Sequence, residues 1–229
     1  MKIHVLVEGP SERVFLERWA PRFLKGHEVR AYPHQGKGTL PKKAAKPDAR
    51  DRTLLGQLPS KLAAFGKSPS KDKECVLVLL DADNDNVTHL NRELRALVDR
   101  LSPAPEVAFA FAVEELEAFY LGDLSAMATA FPGFDRKLAG KYKPDSICGT
   151  WELFGRVIRD DGANKVSWAT HMGAALTTRP SQSRSPSFKT LCGELQRLAS
   201  SQGVSEKPNP KPRKAGAATA RDAAGKRKR

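Results

Sequence analysis

Three short apolar runs in this chain end the same way. KIHVLV (2–7) is followed by Glu8, CVLVLL (75–80) by Asp81 and Asp83, and EVAFAFAV (106–113) by Glu114, Glu115 and Glu117. Runs of this length without polar alternation read as strands buried on both faces. Helical patterns lie between them. SERVFLERWAPRFL (11–24) has Ser11 in the N-cap position and Phe15, Trp19 and Phe23 on one face. NVTHLNRELRALVDRL (86–101) carries an apolar stripe of Leu90, Leu94, Leu97, Val98 and Leu101. HEVRAYP (27–33) supplies a further strand, and RTLLGQLPSKLAAFG (52–66) a helix that Pro59 is expected to break. Continuous apolar strands alternating with helices imply a parallel sheet covered on both sides, an α/β fold. After residue 123 only helical patterns follow, at 124–130, 150–160, 164–177 and 187–201. The expected organisation is an α/β unit over 1–123, a helical extension over 124–203 and a disordered basic tail over 204–229.

In a parallel sheet the carboxyl ends of all strands share one edge, and ligands bind there. Glu8, Asp81, Asp83 and the acids after 113 therefore fall on one rim. Glu12, four residues beyond Glu8 in the first helical turn, can face the same rim. Carboxylates gathered from separate strands repel unless a cation lies among them. Oxygen donors without His or Cys suit Mg2+ or Mn2+. Glu8, Glu12, Asp81 and Asp83 are the candidate metal ligands on this reasoning. Acids at strand ends also serve as helix caps, and Asp85 or Asn86 stands where the following helix needs one.

Other motifs fail on spacing. DADNDNVTHLNR starts like an EF-hand loop, but Asn86 stands where glycine is needed and Arg92 where the closing glutamate belongs. A phosphatase with a nucleophilic Asp-x-Asp places it after the first strand, where this chain has VEGPSE. QGKGTL (35–40) lacks the spacing of a phosphate-binding P-loop, so ATP binding through such a loop is not expected. His34 and His171 have no second ligand at metal spacing; His34, at a strand end, is a candidate substrate contact. Trp151 and Trp168 are expected in the core, and Gly9 is expected to let the backbone turn sharply.

The net charge is +13, and it is uneven. Residues 207–229 hold nine Lys/Arg against one acid, for a net +8, and no large apolar residue. Such a segment cannot offset its ordering entropy by burial and favours phosphate polyanions. Between Gln35 and Lys73 there are ten Lys/Arg against three acids, and the stretch 35–52 reads as a long mobile basic loop. Lys37, Lys42, Lys43, Arg50 and Arg52 are the candidate nucleic-acid contacts. Three distant cysteines, Cys75, Cys148 and Cys192, indicate neither a disulfide framework nor a zinc site. With no apolar run approaching a membrane span, the expected setting is the cytoplasm, with no membrane partner.

VLVEGPSE (5–12) followed by LLDAD (79–83) resembles the Toprim fold of topoisomerases, primases and overcoming-lysogenization-defect nucleases. That pattern is an apolar strand ending in Glu-Gly, then a strand ending in Asp-x-Asp. VEELEAFYLGD (113–123) and SPSF (185–188) are similar to segments of a prokaryotic Toprim-like group often encoded beside an ATPase. The resemblance covers residues 1–200. It implies a divalent-metal-dependent nuclease with an ATPase partner, as the effector half of a pair in phage defence. It implies that Glu8 acts as metal ligand or general base and that Asp81 and Asp83 hold Mg2+. Glu12 would complete the shell, and Glu115 is the favoured acid for a second metal. Lys37 and Lys165 are candidates for the cation beside the scissile phosphate. The alternatives are a non-catalytic Mg2+-binding module that grips nucleic acid, and another Toprim phosphoryl-transfer enzyme.

Removing residues 207–229 should weaken nucleic-acid binding and flatten its salt dependence, by about 0.7–0.9 in the log–log slope for each phosphate the tail neutralises. Binding isotherms at several salt concentrations check this; an unchanged slope would show that the tail neutralises none.

Overall fold

The computed structural model describes residues 1–41, 50–160, 162 and 164–201. Lys42, Lys43 and the tail over 204–229 lie outside the described residues. Four strands, β1 (Lys2–Val7), β2 (Glu28–Pro33), β3 (Glu74–Asp81) and β4 (Val107–Ala112), form one sheet in the order β2-β1-β3-β4, all parallel. The expected α/β class is what the chain adopts.

The two faces of the sheet follow from side-chain alternation. Ile3, Val5, Val7, Cys75, Leu77, Leu79, Ala108, Ala110 and Ala112 belong to one buried cluster; Leu6, Val76, Val78, Leu80, Phe109 and Phe111 belong to the other. The second face is covered by α2 (Leu54–Gly66) and α3 (Val87–Val98) through Leu54, Leu55, Leu58, Leu62, Leu90 and Leu94. The first face carries α1 (Pro10–Phe23) and the C-terminal helices. These are α4 (Glu117–Leu121), α5 (Leu124–Ala130), α6 (Arg136–Lys141), α7 (Thr150–Ile158), α8 (Lys165–Ala175) and α9 (Pro186–Ser201). The alanines of β4 let α9 lie close against the sheet. β2 is an edge strand with a half-exposed, polar pattern, whereas the other edge, β4, is apolar and buried.

The helical run 124–201 shares a core with the sheet. Phe15 and Trp19 of α1 stack at 5.6 Å, and Phe188 of α9 meets Trp19 at 5.3 Å and Phe119 at 5.5 Å. Trp19 Nε1 donates to Thr177 O at 3.0 Å. Arg22 caps α8, donating to Gly173 O at 2.9 Å and Leu176 O at 3.1 Å. The 113–123 and 185–188 segments touch: a Cβ on Gly122 would stand 2.8 Å from Ser185 Cβ. Asp145 clasps the second segment, accepting from Ser185 Oγ at 2.8 Å, Ser187 N at 2.6 Å and Ser187 Oγ at 3.0 Å.

Several local expectations change. α1 begins at Pro10, with Gly9 rather than Ser11 as N-cap, because Glu12 folds back onto the Gly9 N–H at 2.9 Å. Gly9 itself has φ −153°, open to any residue; what it supplies is room, since a Cβ would lie 3.3 Å from Glu12 Oε2. Pro59 does not break α2, whose leucines pack onto the sheet across it. Of the two candidate caps for α3, Asn86 is the one that serves, accepting from His89 N at 3.0 Å. α6 gave no sequence signal because it buries only Ala139. Trp168 is core, whereas Trp151 is half-buried. The three cysteines are free, and no described helix is long and apolar enough to cross a membrane.

Asp145→Ala leaves two buried serines short of an acceptor and should lower stability by about 2–4 kcal/mol, with Asp145→Asn milder. Urea unfolding checks this; an unchanged midpoint would show that the clasp contributes nothing.

Candidate functional site

The strand order reverses direction of growth at β1: one connection runs from β1 out to β2, the next returns across to β3. The crevice beyond the carboxyl ends of β1 and β3 is the topological switch point, where open α/β sheets bind ligands. Glu8 follows β1 there, and Asp81 is the last residue of β3. Glu8 Oε1 accepts the Asp81 N–H at 2.8 Å, so one carboxylate ties the two strand ends together.

Glu12 enters from the first turn of α1, 6% exposed, with its oxygens on Gly9 N at 2.9 Å and Ser11 Oγ at 3.2 Å. Glu117 enters from the start of α4 and is 2% exposed. Glu115 is ion-paired to Lys165 Nζ at 3.2 Å, and that ammonium also lies over the Trp151 ring at 5.1 Å. α8 thereby delivers a cation to the rim from the C-terminal half.

These acids lie in one another's fields. Burial first, then Glu12, Glu8, Glu117 and Glu115, hold the Asp81 carboxyl well above the usual aspartate range. Asp81 Oδ1 is shielded from water and has no hydrogen-bond partner. Burial pushes Glu117 from 4.5 up to about 7; Lys165 opposes this and Glu115 and Glu12 add to it. Burial likewise takes Glu8 from 4.5 to about 7, against the Asp81 N–H and Lys37. Glu115 is also raised by burial, with Lys165 opposing. Lys165 stays above its ordinary value because Glu117 and Glu115 outweigh its own desolvation. Beneath them the buried Tyr120 hydroxyl has no partner.

Asp83 takes a different partner. Its side chain is 54% exposed and binds Lys37 Nζ at 2.9 Å; Asp85 binds the same Nζ at 2.6 Å, and Ala82 O lies at 3.3 Å. Lys37 is thus an internal counter-ion of the LLDAD loop, only 13% exposed. Asp83 and Glu114 both have positive φ, 46° and 65°, and the Asp83 N–H donates to Glu114 O at 2.8 Å. Side-chain residues in this region cost energy and tend to mark functional loops. The Glu114 carboxylate leaves the rim altogether: it accepts from Cys148 N, Gly149 N and Thr150 N at 2.7–3.0 Å, filling the start of α7. Arg50 and Arg52 are exposed on the loop before α2. His34 is anchored to Val7 O, and His171 bonds its own helix at Ser167 O.

Among the described residues no three His, Cys, Asp or Glu side chains are gathered closely enough to hold a metal ion as they stand. The donor chemistry nonetheless suits a hard divalent cation: oxygen-only ligands, two of them orphaned buried carboxylate atoms, Asp81 Oδ1 and Glu115 Oε2, in a site where ionisation is penalised.

Residues 7–196 match the family described as a domain of unknown function, DUF4276. The chain belongs to that family. The DUF4276 match takes in Glu8, Glu12, Asp81, Glu115, Glu117 and Lys165 and stops short of the tail. No curated protein and no solved structure matches the chain. Within this DUF4276 chain, the sequence singled out Glu8, Glu12, Asp81, Glu115 and Lys165, and placed Glu117 on the same rim without giving it a ligand's role. The signal that could have found it is its setting in EELEAFYL, where the next four residues are apolar and every one is buried.

Because Glu117 and Glu8 are raised from 4.5 to about 7, the metal-free native state keeps protons that the unfolded chain releases. Their stabilisation is full below about pH 4.5 and is lost as pH rises to about 7. Glu117→Gln should therefore remove part of the fall in stability between these pH values, on the order of 3 kcal/mol at most. Thermal melts in EDTA across this range check it; parallel wild-type and variant curves would contradict the protonation.

Proposed function

We propose that this chain is a divalent-metal-dependent phosphodiesterase acting on nucleic acid, built on a Toprim-type catalytic edge. The observation that carries the reading is Asp81. It is a shielded carboxylate at the switch point, with one oxygen unpartnered, in the field of four other carboxylates. Leaving such a group unpaired costs stability, and a fold keeps that cost where function requires it.

Asp81, Glu8, Glu12 and Glu117 would hold Mg2+ or Mn2+, with Glu115 beside them and Asp83 available once Lys37 releases it. The bound ion would supply charge to offset these acids and to stabilise the negative charge that grows on phosphate oxygens. Glu8, with its carboxyl near neutrality, can accept a proton from an attacking water. Lys165 holds its proton and can orient a phosphate across the acidic edge. Arg50, Arg52 and the 42–43 lysines would grip the strand by charge. An ATPase partner and a role in phage defence extend the resemblance to Toprim-like proteins.

One observation favours a second reading, a nucleic-acid-binding module without turnover. Lys37 and Lys165 already neutralise carboxylates on the rim, and among the described residues no metal-ligating group stands assembled.

With Mn2+ and single- or double-stranded DNA or RNA, Asp81→Asn should lower the cleavage rate by about a hundredfold or more. Its fold should be retained, and its metal-free stability should equal or exceed wild type, because the variant removes the cost of ionising Asp81 among its neighbours. Metal-dependent binding without cleavage in wild type would favour the second reading. Equal cleavage by wild type and Asp81→Asn would remove Asp81 from the chemistry.

A further inference from the structure

Next to the acidic edge, at the carboxyl end of β2, lies a cavity of about 350 Å3 lined by Pro33, His34, Gln35, Arg52, Gln57 and Lys61. No acid lines it, and among the described residues neither Arg52 nor Lys61 has an ion-pair partner. Elsewhere around the rim the cations are spoken for: Lys37 by Asp83 and Asp85, Lys165 by Glu115. Here two stand in a concavity without a counter-charge.

His34 forms part of the wall. Its backbone N–H donates to Val7 O at 3.0 Å, and its Nδ1 lies 2.7 Å from the same oxygen. A carbonyl only accepts, so Nδ1 carries a proton. That leaves Nε2 buried and unpartnered. Burial draws the imidazole below its usual range; the Val7 bond opposes this and Lys61 adds to it. An anion in the cavity would reverse the balance, offsetting both cations and favouring a proton on Nε2. The guanidinium fork of Arg52 matches two phosphate oxygens, and Lys61 adds a point charge. Gln57 already spends one amide N–H on Asp51 O at 2.6 Å, which fixes its side chain and leaves the second free to donate. The volume lies at the small end of ligand pockets, enough for a phosphate with part of its sugar.

Register sets this cavity beside Glu8. Val7 pairs with Pro33, and the Gly36 N–H donates to Glu8 O at 2.9 Å. Adjacent parallel strands are only about 4.8 Å apart. We propose that the His34–Arg52–Lys61 cavity is a phosphate-binding subsite that holds the sugar–phosphate backbone of a strand whose neighbouring phosphate meets the acidic edge. The strand as ligand rests on the function proposed above; affinity for a phosphate group does not.

The test uses the full chain in EDTA, titrated with inorganic phosphate and separately with a single-stranded hexanucleotide. Imidazole 1H–15N spectra and calorimetry are the readouts. Phosphate should shift the His34 resonances. Arg52→Gln should weaken it about tenfold and Arg52→Gln/Lys61→Gln should abolish it. Asp81→Asn should bind phosphate as wild type does, and the hexanucleotide should compete with phosphate. Urea midpoints of the Arg52 and Lys61 variants should match wild type, since neither side chain is in the core. The subsite is overturned if His34 does not respond, if the double variant keeps wild-type affinity, or if the hexanucleotide does not compete. Failure of metal-dependent cleavage with phosphate binding intact strikes only the nuclease reading. Cleavage at subsaturating substrate that is unchanged in the double variant strikes only the subsite.

Discussion

A carboxylate that loses its water must find either a proton or a cation. Asp81 is caught in that choice, and much of the surrounding structure is arranged by it. It ends an inner strand of an all-parallel sheet, where its backbone pairs with Ala112 of β4 on one side. Glu8 spends one oxygen on its N–H. Glu12 is pinned to Gly9 and Ser11 at the mouth of α1. Glu117 has no exposed route from the start of α4. Each of these placements is secured by backbone or core packing rather than by attraction among the acids, which repel. A proton satisfies the cluster at low pH. Near neutrality that compensation weakens, and Lys165 reaches only part of the group.

The helical half of the chain is needed for that partial neutralisation. Lys165 stands at the first turn of α8, a helix held against α1 by Arg22 and Trp19. Its approach to Glu115 is steadied by Trp151 on α7. α7 in turn is seated by Glu114, whose carboxylate fills the three N–H groups at its start. Neighbouring glutamates at 114 and 115 thus point to different tasks: one organises the helix that carries Trp151, the other receives the lysine that Trp151 steadies. The Ser185–Phe188 segment closes the arrangement from the far side, locked to Asp145 and packed on Gly122. Residues beyond 123 are accordingly continuous with the core that shapes the acidic edge.

The sheet was legible because its strands obey a single rule, apolar throughout and acidic at the tip. β1, β3 and β4 came within a residue or two of their observed bounds, and even the polar edge strand β2 was visible in HEVRAYP. Strand order was not legible, since periodicity carries no information about neighbours. Glu8, Glu12 and Asp81 could be joined on the argument that parallel strands end together. Asp83 could not be separated from them, because its pairing with Lys37 spans 46 residues of chain through a glycine-flanked loop. Glu117 was placed on the rim, but its burial was hidden: a glutamate in an amphipathic-looking helix reads as solvated unless the packing on every side is known. The Lys165–Glu115 pair shows the same limit in a milder form. Each residue was singled out for its chemistry, while their meeting depended on where α8 docks.

Charge is zoned across this edge in a way that bears on which ligands it could take. Beyond β1 and β3 the groups are acidic; one strand over, beyond β2, the cavity wall is cationic and unpaired. Lys37 lies between the zones and is tied to Asp83 and Asp85. A small neutral ligand would gain nothing from such a division. A polyanion gains at the cationic side and is repelled at the acidic side unless a divalent ion lies there. Metal would then act as a condition for engagement across both zones, and without it the same chain could still hold a phosphate at β2 while the edge stayed protonated. A cationic cavity and an acidic cluster on adjacent strands of one sheet are an arrangement that the carboxyl edge of this fold makes available.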